Sequence, residues 1–101
     1  MSTLDGPLHN AANNGDTPRA RELLDLGADP NAFNRHGDTS LVLAVLGAHV
    51  DMVRLLLARG ADPMLAGTGR VSALKYAQFR REVEPETLRS RFSEIVSILE
   101  S

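Results

Sequence analysis

The chain has no cysteine and no tryptophan, and aromatic residues make up only 4% of it. Without cysteine there is no disulfide, no thiol chemistry and no cysteine-based zinc site. With so few aromatics, the core must be filled by Leu, Ala and Val. Basic charge is also scarce: eleven Lys and Arg stand against thirteen Asp and Glu, a formal net charge of −2. General nucleic-acid and membrane-surface binders draw on a clustered basic excess, so both classes are disfavoured. Long apolar runs are missing too. The longest, Leu41 to Val50, falls far short of the roughly 20 residues needed to cross a bilayer. Met1 to Ala12 shows no basic stretch followed by an apolar one, so no signal peptide is read there. The expected setting is intracellular and cytoplasmic.

What is present is an ordinary globular composition, 43% apolar over 101 residues, enough for a single domain over residues 1–101. It carries an internal repeat. Leu8, Leu41 and Leu74 are 33 residues apart, and Ala11, Ala44 and Ala77 keep the same interval. Arg21 pairs with Arg54, and Leu23-Leu24 with Leu56-Leu57, at that same offset. The block Gly27-Ala28-Asp29-Pro30 returns as Gly60-Ala61-Asp62-Pro63. The units run approximately over 4–33, 34–66 and 67–101.

Each unit holds two short helical patterns. In the second, Thr39 and Ser40 offer an N-terminal cap. Leu41, Ala44 and Val45 follow at helical spacing until Gly47. A further helix from about Asp51 puts Val53, Leu56 and Leu57 on one stripe, and Gly60 supplies a left-handed stop. In the first unit Pro7 opens a helix where its missing N–H costs nothing; Thr17-Pro18 opens the next and Gly27 closes it. Pro30 and Pro63 cannot continue a helix, so Asn31 to Asp38 and Leu65 to Val71 project as turns. Helices are expected near 7–13, 17–26, 40–46, 51–59, 72–79 and 86–100. None is long enough to stand alone in water, so pair must stack on pair. The expected core is Leu8, Ala11, Leu23, Leu24, Leu41, Ala44, Val53, Leu56, Leu57, Leu74, Ala77, Ile95, Val96 and Leu99.

These residues resemble the ankyrin repeat, a 33-residue unit opened by Thr-Pro-Leu-His-x-Ala. Here that motif stands as Gly6-Pro7-Leu8-His9-Asn10-Ala11, Thr39-Ser40-Leu41-Val42-Leu43-Ala44 and Ser72-Ala73-Leu74-Lys75-Tyr76-Ala77. No copy has both Thr and His, so the hydrogen bonds that the family builds on that pair are expected to be incomplete in every unit. The family's Gly-Ala-Asp-x-Asn segment stands as Gly27 to Asn31, and as Gly60 to Met64 with Met in the last place. The resemblance implies an all-α fold: an ankyrin-repeat solenoid of helix-turn-helix units with projecting β-turn loops. The third unit departs most. Met52-Val53 and its counterpart Ile95-Val96 are 43 residues apart. Arg80 to Pro85 therefore reads as a lengthened loop, and the stripe Leu88, Phe92, Ile95, Val96, Leu99 as a longer C-terminal capping helix.

Candidates for chemistry are thin. His9, His36 and His49 have no metal-ligand spacing such as His-Glu-x-x-His, and His9 and His49 read as structural. Gly67-Thr68-Gly69-Arg70 looks like part of a phosphate loop but lacks the Gly-Lys-Ser/Thr ending, so it reads as a turn. Nothing marks a strained nucleophile or a paired base. Neither enzyme activity, a cofactor nor a metal is expected. The resemblance instead implies a partner-binding concave face, formed by the projecting turns and the outer side of each first helix. By register this face carries Phe33, Arg35, His36 and Asp38 on the first turn. Ala66, Thr68, Gly69 and Val71 fall on the second, and Asn13-Asn14, Leu46-Gly47 and Phe79-Arg80 on the helices. Phe33, Leu46 and Phe79 are apolar where other copies hold Ala or Asn, and such residues suit binding hot spots.

The resulting expectation is a protein-binding module, monomeric when alone, acting on one partner protein as an inhibitor or adaptor. The alternative is an architectural subunit that self-associates or completes a larger array. The register itself is testable. Leu56→Ala should cost roughly 2–5 kcal/mol in chemical denaturation, as deletion of a buried Leu side chain does; a loss under about 0.5 kcal/mol would place Leu56 outside the core.

Overall fold

The structure is a computed structural model, and it describes residues 3–66 and 71–101. Gly67-Thr68-Gly69-Arg70, read above as a turn, lies outside the described residues. Among the described residues six helices follow one another: α1 Asp5–Asn14, α2 Thr17–Asp25, α3 Ser40–Leu46, α4 Val50–Ala58, α5 Ala73–Val83 and α6 Glu86–Glu100. There is no strand among the described residues, which are helical apart from the turns and connecting segments.

Local chemistry sets most of these boundaries. Asp16 accepts the Arg19 N–H at 3.2 Å, Thr39 that of Val42 at 3.2 Å and Ser72 that of Lys75 at 3.2 Å. Each covers one donor that a helix start leaves unpaired. Pro7 falls inside the first turn of α1 rather than at its first position, where its missing N–H still removes no helical bond. The stops of α2 and α4 lie at Gly27 (φ 106°) and Gly60 (φ 95°), in a region that side chains disfavour. The Ala28 N–H then reaches back to the Leu23 carbonyl at 3.0 Å, and that of Ala61 to Leu56 at 2.9 Å, which closes both helix ends.

The helices pair within units, α1 with α2, α3 with α4 and α5 with α6. The first helices α1, α3 and α5 form one layer; α2, α4 and α6 form the other. The expected core residues are buried, except that Leu57 and Leu74 are half-buried against it. Phe92, absent from the expected core, is fully buried in α6. Polar ties join the units. The Asn31 side chain donates to the Gly60 carbonyl at 2.9 Å and accepts the Asp62 N–H at 2.8 Å. Arg59 pairs with Asp25 at 2.6 Å, and Arg54 with Glu94 at 2.8 Å, across the outer layer.

The lengthened loop expected over Arg80 to Pro85 is not a loop. Helix α5 continues through Val83, and only Glu84 and Pro85 separate it from α6. The added residues extend the helix because Tyr76, Arg80 and Glu84 recur every fourth position. Arg80 donates to the Tyr76 hydroxyl at 2.9 Å and pairs with Glu84, so Arg80 and Glu84, both within the expected loop, are ties along one helix face. Glu84 is extended (ψ 151°), as the residue before a proline prefers, and there the helix ends.

The His49 ring lies against Gly15 and Gly47, at the ends of α1 and α3, where a Cβ on either glycine would overlap it. Its Nε2–H donates to the Asn13 carbonyl at 3.1 Å, so this histidine couples the first two units. Among the described residues the Ser40 hydroxyl is fully buried with no hydrogen-bond partner. Ser40→Ala should therefore raise stability by about 1 kcal/mol, because it removes an unsatisfied buried group. Thermal melting checks this, and a lowered midpoint would show that the hydroxyl is satisfied in solution.

Candidate partner-binding face

Between the first and second units the chain projects as a finger, built by Asn34. Its carbonyl accepts the Gly37 N–H at 3.0 Å, and its own N–H reaches the Asp38 carbonyl at 2.8 Å. Its side-chain oxygen accepts the N–H groups of His36 at 2.9 Å and Asp38 at 3.0 Å. Gly37 takes φ 80°, which closes the turn. The root is pinned as well: His9 on α1 donates from Nε2 to the Ala32 carbonyl at 2.9 Å. A finger tied at root and tip loses little freedom when something binds to it.

The finger and the inner side of the first helices enclose a groove of about 590 Å³. Asp5, Gly6, His9, Asn10 and Asn13 of α1 and Leu43 of α3 form one side; Phe33, Asn34, Arg35 and His36 of the finger form the other. Of the residues that register placed on the concave face, Phe33, Arg35, His36 and Asn13 thus come together. Asp38 is half-buried, and its backbone closes the finger. Leu46 and Phe79 are 39% and 58% exposed on α3 and α5, outside the groove lining. Ala66 and Val71 are exposed, and Thr68 and Gly69 lie outside the described residues.

Arg80 has a different place. Its guanidinium lies 4.6 Å from the centre of the Phe92 ring and 5.7 Å from that of Tyr76, and it pairs with Glu84. Burial alone would lower its pKa, but the bonds to Tyr76 and Glu84 outweigh that and raise it. Its charge serves the packing of α5 against α6 rather than an open surface.

Asn10 and Leu43 are groove residues that register reasoning missed. The signal was available, because Asn10 lies one helical turn before Asn13, and Leu43 occupies the position of Asn10 one repeat later. Among the described residues no group of three or more His, Asp or Glu side chains converges as a metal site. Nor is any described helix long and apolar enough to cross a membrane.

The fold and its grooved inner face define a helical repeat solenoid. Comparison with known proteins assigns the family. The chain matches the family described as ankyrin repeats (3 copies) over residues 3–66. It is 40% identical over 62 residues to cyclin-dependent kinase 4 inhibitor B of Mus musculus, covering 61% of this chain and 47% of that protein. It is 47% identical over 60 residues to 2-5A-dependent ribonuclease of Mus musculus, covering 58% of this chain and 8% of that protein. The crystal structure of an ankyrin repeat domain from Acinetobacter baumannii superposes with a TM-score of 0.77 at 31% identity, over 92% of this chain and 45% of that one. The chain belongs to the ankyrin repeat family. It spans less than half the length of these relatives. Ankyrin repeats in general mediate protein–protein interaction.

The Arg80 contacts can be tested apart from any partner. Arg80→Met keeps the aliphatic stem and removes the cation, and should cost about 1–2 kcal/mol through the lost stacking and hydrogen bonds. Urea denaturation measures it; an unchanged midpoint would show that the Phe92 contact carries no energy.

Proposed function

We propose that this chain binds a partner protein through its concave face, working as a cytoplasmic monomer and masking the partner's surface as an inhibitor does. The observation that carries this reading is the groove itself: a finger fixed by its own hydrogen bonds holds Phe33, 46% exposed, beside Arg35. The fold does not require an aromatic side chain there, because the equivalent position one repeat later holds Ala66. Burial under a partner gives Phe33 a role. Leu46 and Phe79 extend the apolar character along the inner helices beyond the groove. The inhibitory mode draws support from the relative named as a cyclin-dependent kinase 4 inhibitor.

The test begins with affinity capture from the source cell, followed by titration of the recovered partner. Phe33→Ala should leave the melting temperature nearly unchanged and weaken binding by about 1–2 kcal/mol or more, as truncation of a hot spot does. Arg91→Ala, on the exposed side of α6, should leave affinity intact. If Phe33→Ala and Phe79→Ala both keep full affinity while Arg91→Ala abolishes it, the binding face is α6 and the concave reading falls.

A further inference from the structure

The groove also constrains what occupies it, an inference that rests on the concave-face reading above. Its lining divides into three chemistries. Phe33 on the finger and Leu43 on α3 are apolar. Asn10 and Asn13 lie three residues apart on α1, and both are exposed. Residues at that spacing are neighbours on a helix surface. Neither side-chain amide has a hydrogen-bond partner among the described residues, and each offers both donors and an acceptor, the complement of a peptide unit. Arg35 is exposed on the finger and, like Arg21, Arg81, Arg89 and Arg91 elsewhere, makes no ion pair among the described residues; it is the arginine that lines the groove. Asp5 lines the same groove, but its Oδ1 accepts the Asp29 N–H at 2.9 Å. In a chain of net charge −2, this groove therefore presents an uncommitted cation.

We infer that the groove takes an extended segment of the partner protein carrying an apolar side chain and a carboxylate two positions apart. Phe33 and Leu43 receive the apolar side chain. Arg35 receives the carboxylate, and Asn10 and Asn13 bracket the segment's backbone amide. In an extended segment alternate side chains point the same way, so an apolar side chain and a carboxylate two positions apart both face the finger that carries Phe33 and Arg35. A volume of about 590 Å³ falls in the range of about 300–1,000 Å³ of pockets that enclose small ligands, large enough for a few residues of peptide. Because the finger is already fixed by the Asn34 bonds, the charge-assisted contact to Arg35 is formed at little ordering cost.

The probe is a blocked peptide containing Leu-Ser-Glu between Gly-Ser flanks, with a Leu-Ser-Lys peptide of the same length as comparison. Each is titrated into the isotope-labelled chain and followed by amide chemical shifts. The glutamate peptide should give saturable shifts centred on Asn10, Asn13, Phe33, Arg35 and Leu43; the lysine peptide should give none. Arg35→Glu should weaken the glutamate peptide roughly tenfold or more, the size of a lost charge-assisted hydrogen bond, and should admit the lysine peptide. Circular dichroism melting of the variant establishes that it is folded. Equal response to both peptides, shifts confined to α6 or to Leu46 and Phe79, or no saturable shift at all would overturn the assignment. If the peptide fails while Phe33→Ala still weakens the captured partner, the concave-face reading stands and the acidic-apolar occupant falls; if both fail, the two fall together.

Discussion

Every helix in this chain depends on a neighbour. Helices of seven to eleven residues, as α1 to α5 are, do not persist in water on their own propensity. An isolated pair leaves a stripe of Leu and Val exposed. Stacking satisfies both needs, and the repeated alanines Ala11, Ala44 and Ala77, all buried in the first-helix layer, leave room for α1, α3 and α5 to pack closely. Asn31 adds a polar check on that register: its side chain meets both the Gly60 carbonyl and the Asp62 N–H, and a slipped stack would leave both unpaired. The proposed binding surface inherits its rigidity from this arrangement, because the finger and the inner helices are parts of the same stack.

The opening motif shows how little of a consensus each unit needs. The first unit keeps the histidine, which holds the finger root through the Ala32 carbonyl. The second keeps the threonine, which caps α3, and buries Val42 where the histidine would stand. The third caps α5 with Ser72 and exposes Lys75 at the histidine position. Threonine and histidine act on different groups, one on a helix start and one on a turn carbonyl, so they can be divided between units. Ser40 marks where this relaxation leaves a buried hydroxyl unpartnered.

In the third unit the added residues lengthen both helices. The extra turn of α5 brings Arg80 over the ring of Phe92, which is fully buried. The half-buried Arg80 and Glu84 thereby fasten this end of the unit, while Phe79, next in sequence, stays exposed.

The sequence by itself determined the repeat, the helix pairs, their stops at Gly27 and Gly60, and nearly all of the core, since period and capping chemistry are local and recur at a fixed offset. It also pointed to Phe33, Arg35 and His36, because register assigns them to a projecting turn. Three things it could not settle. Arg80 to Val83 continue α5, with Tyr76, Glu84 and Phe92 around the Arg80 guanidinium, and Phe92 belongs to another element. His49 is a wedge because Gly15, from the preceding unit, leaves space for its ring. The groove exists because Asn10, Leu43 and Phe33 converge from two helices and a turn. In each case the deciding contact joins residues distant in sequence, and only the packed stack brings them within reach.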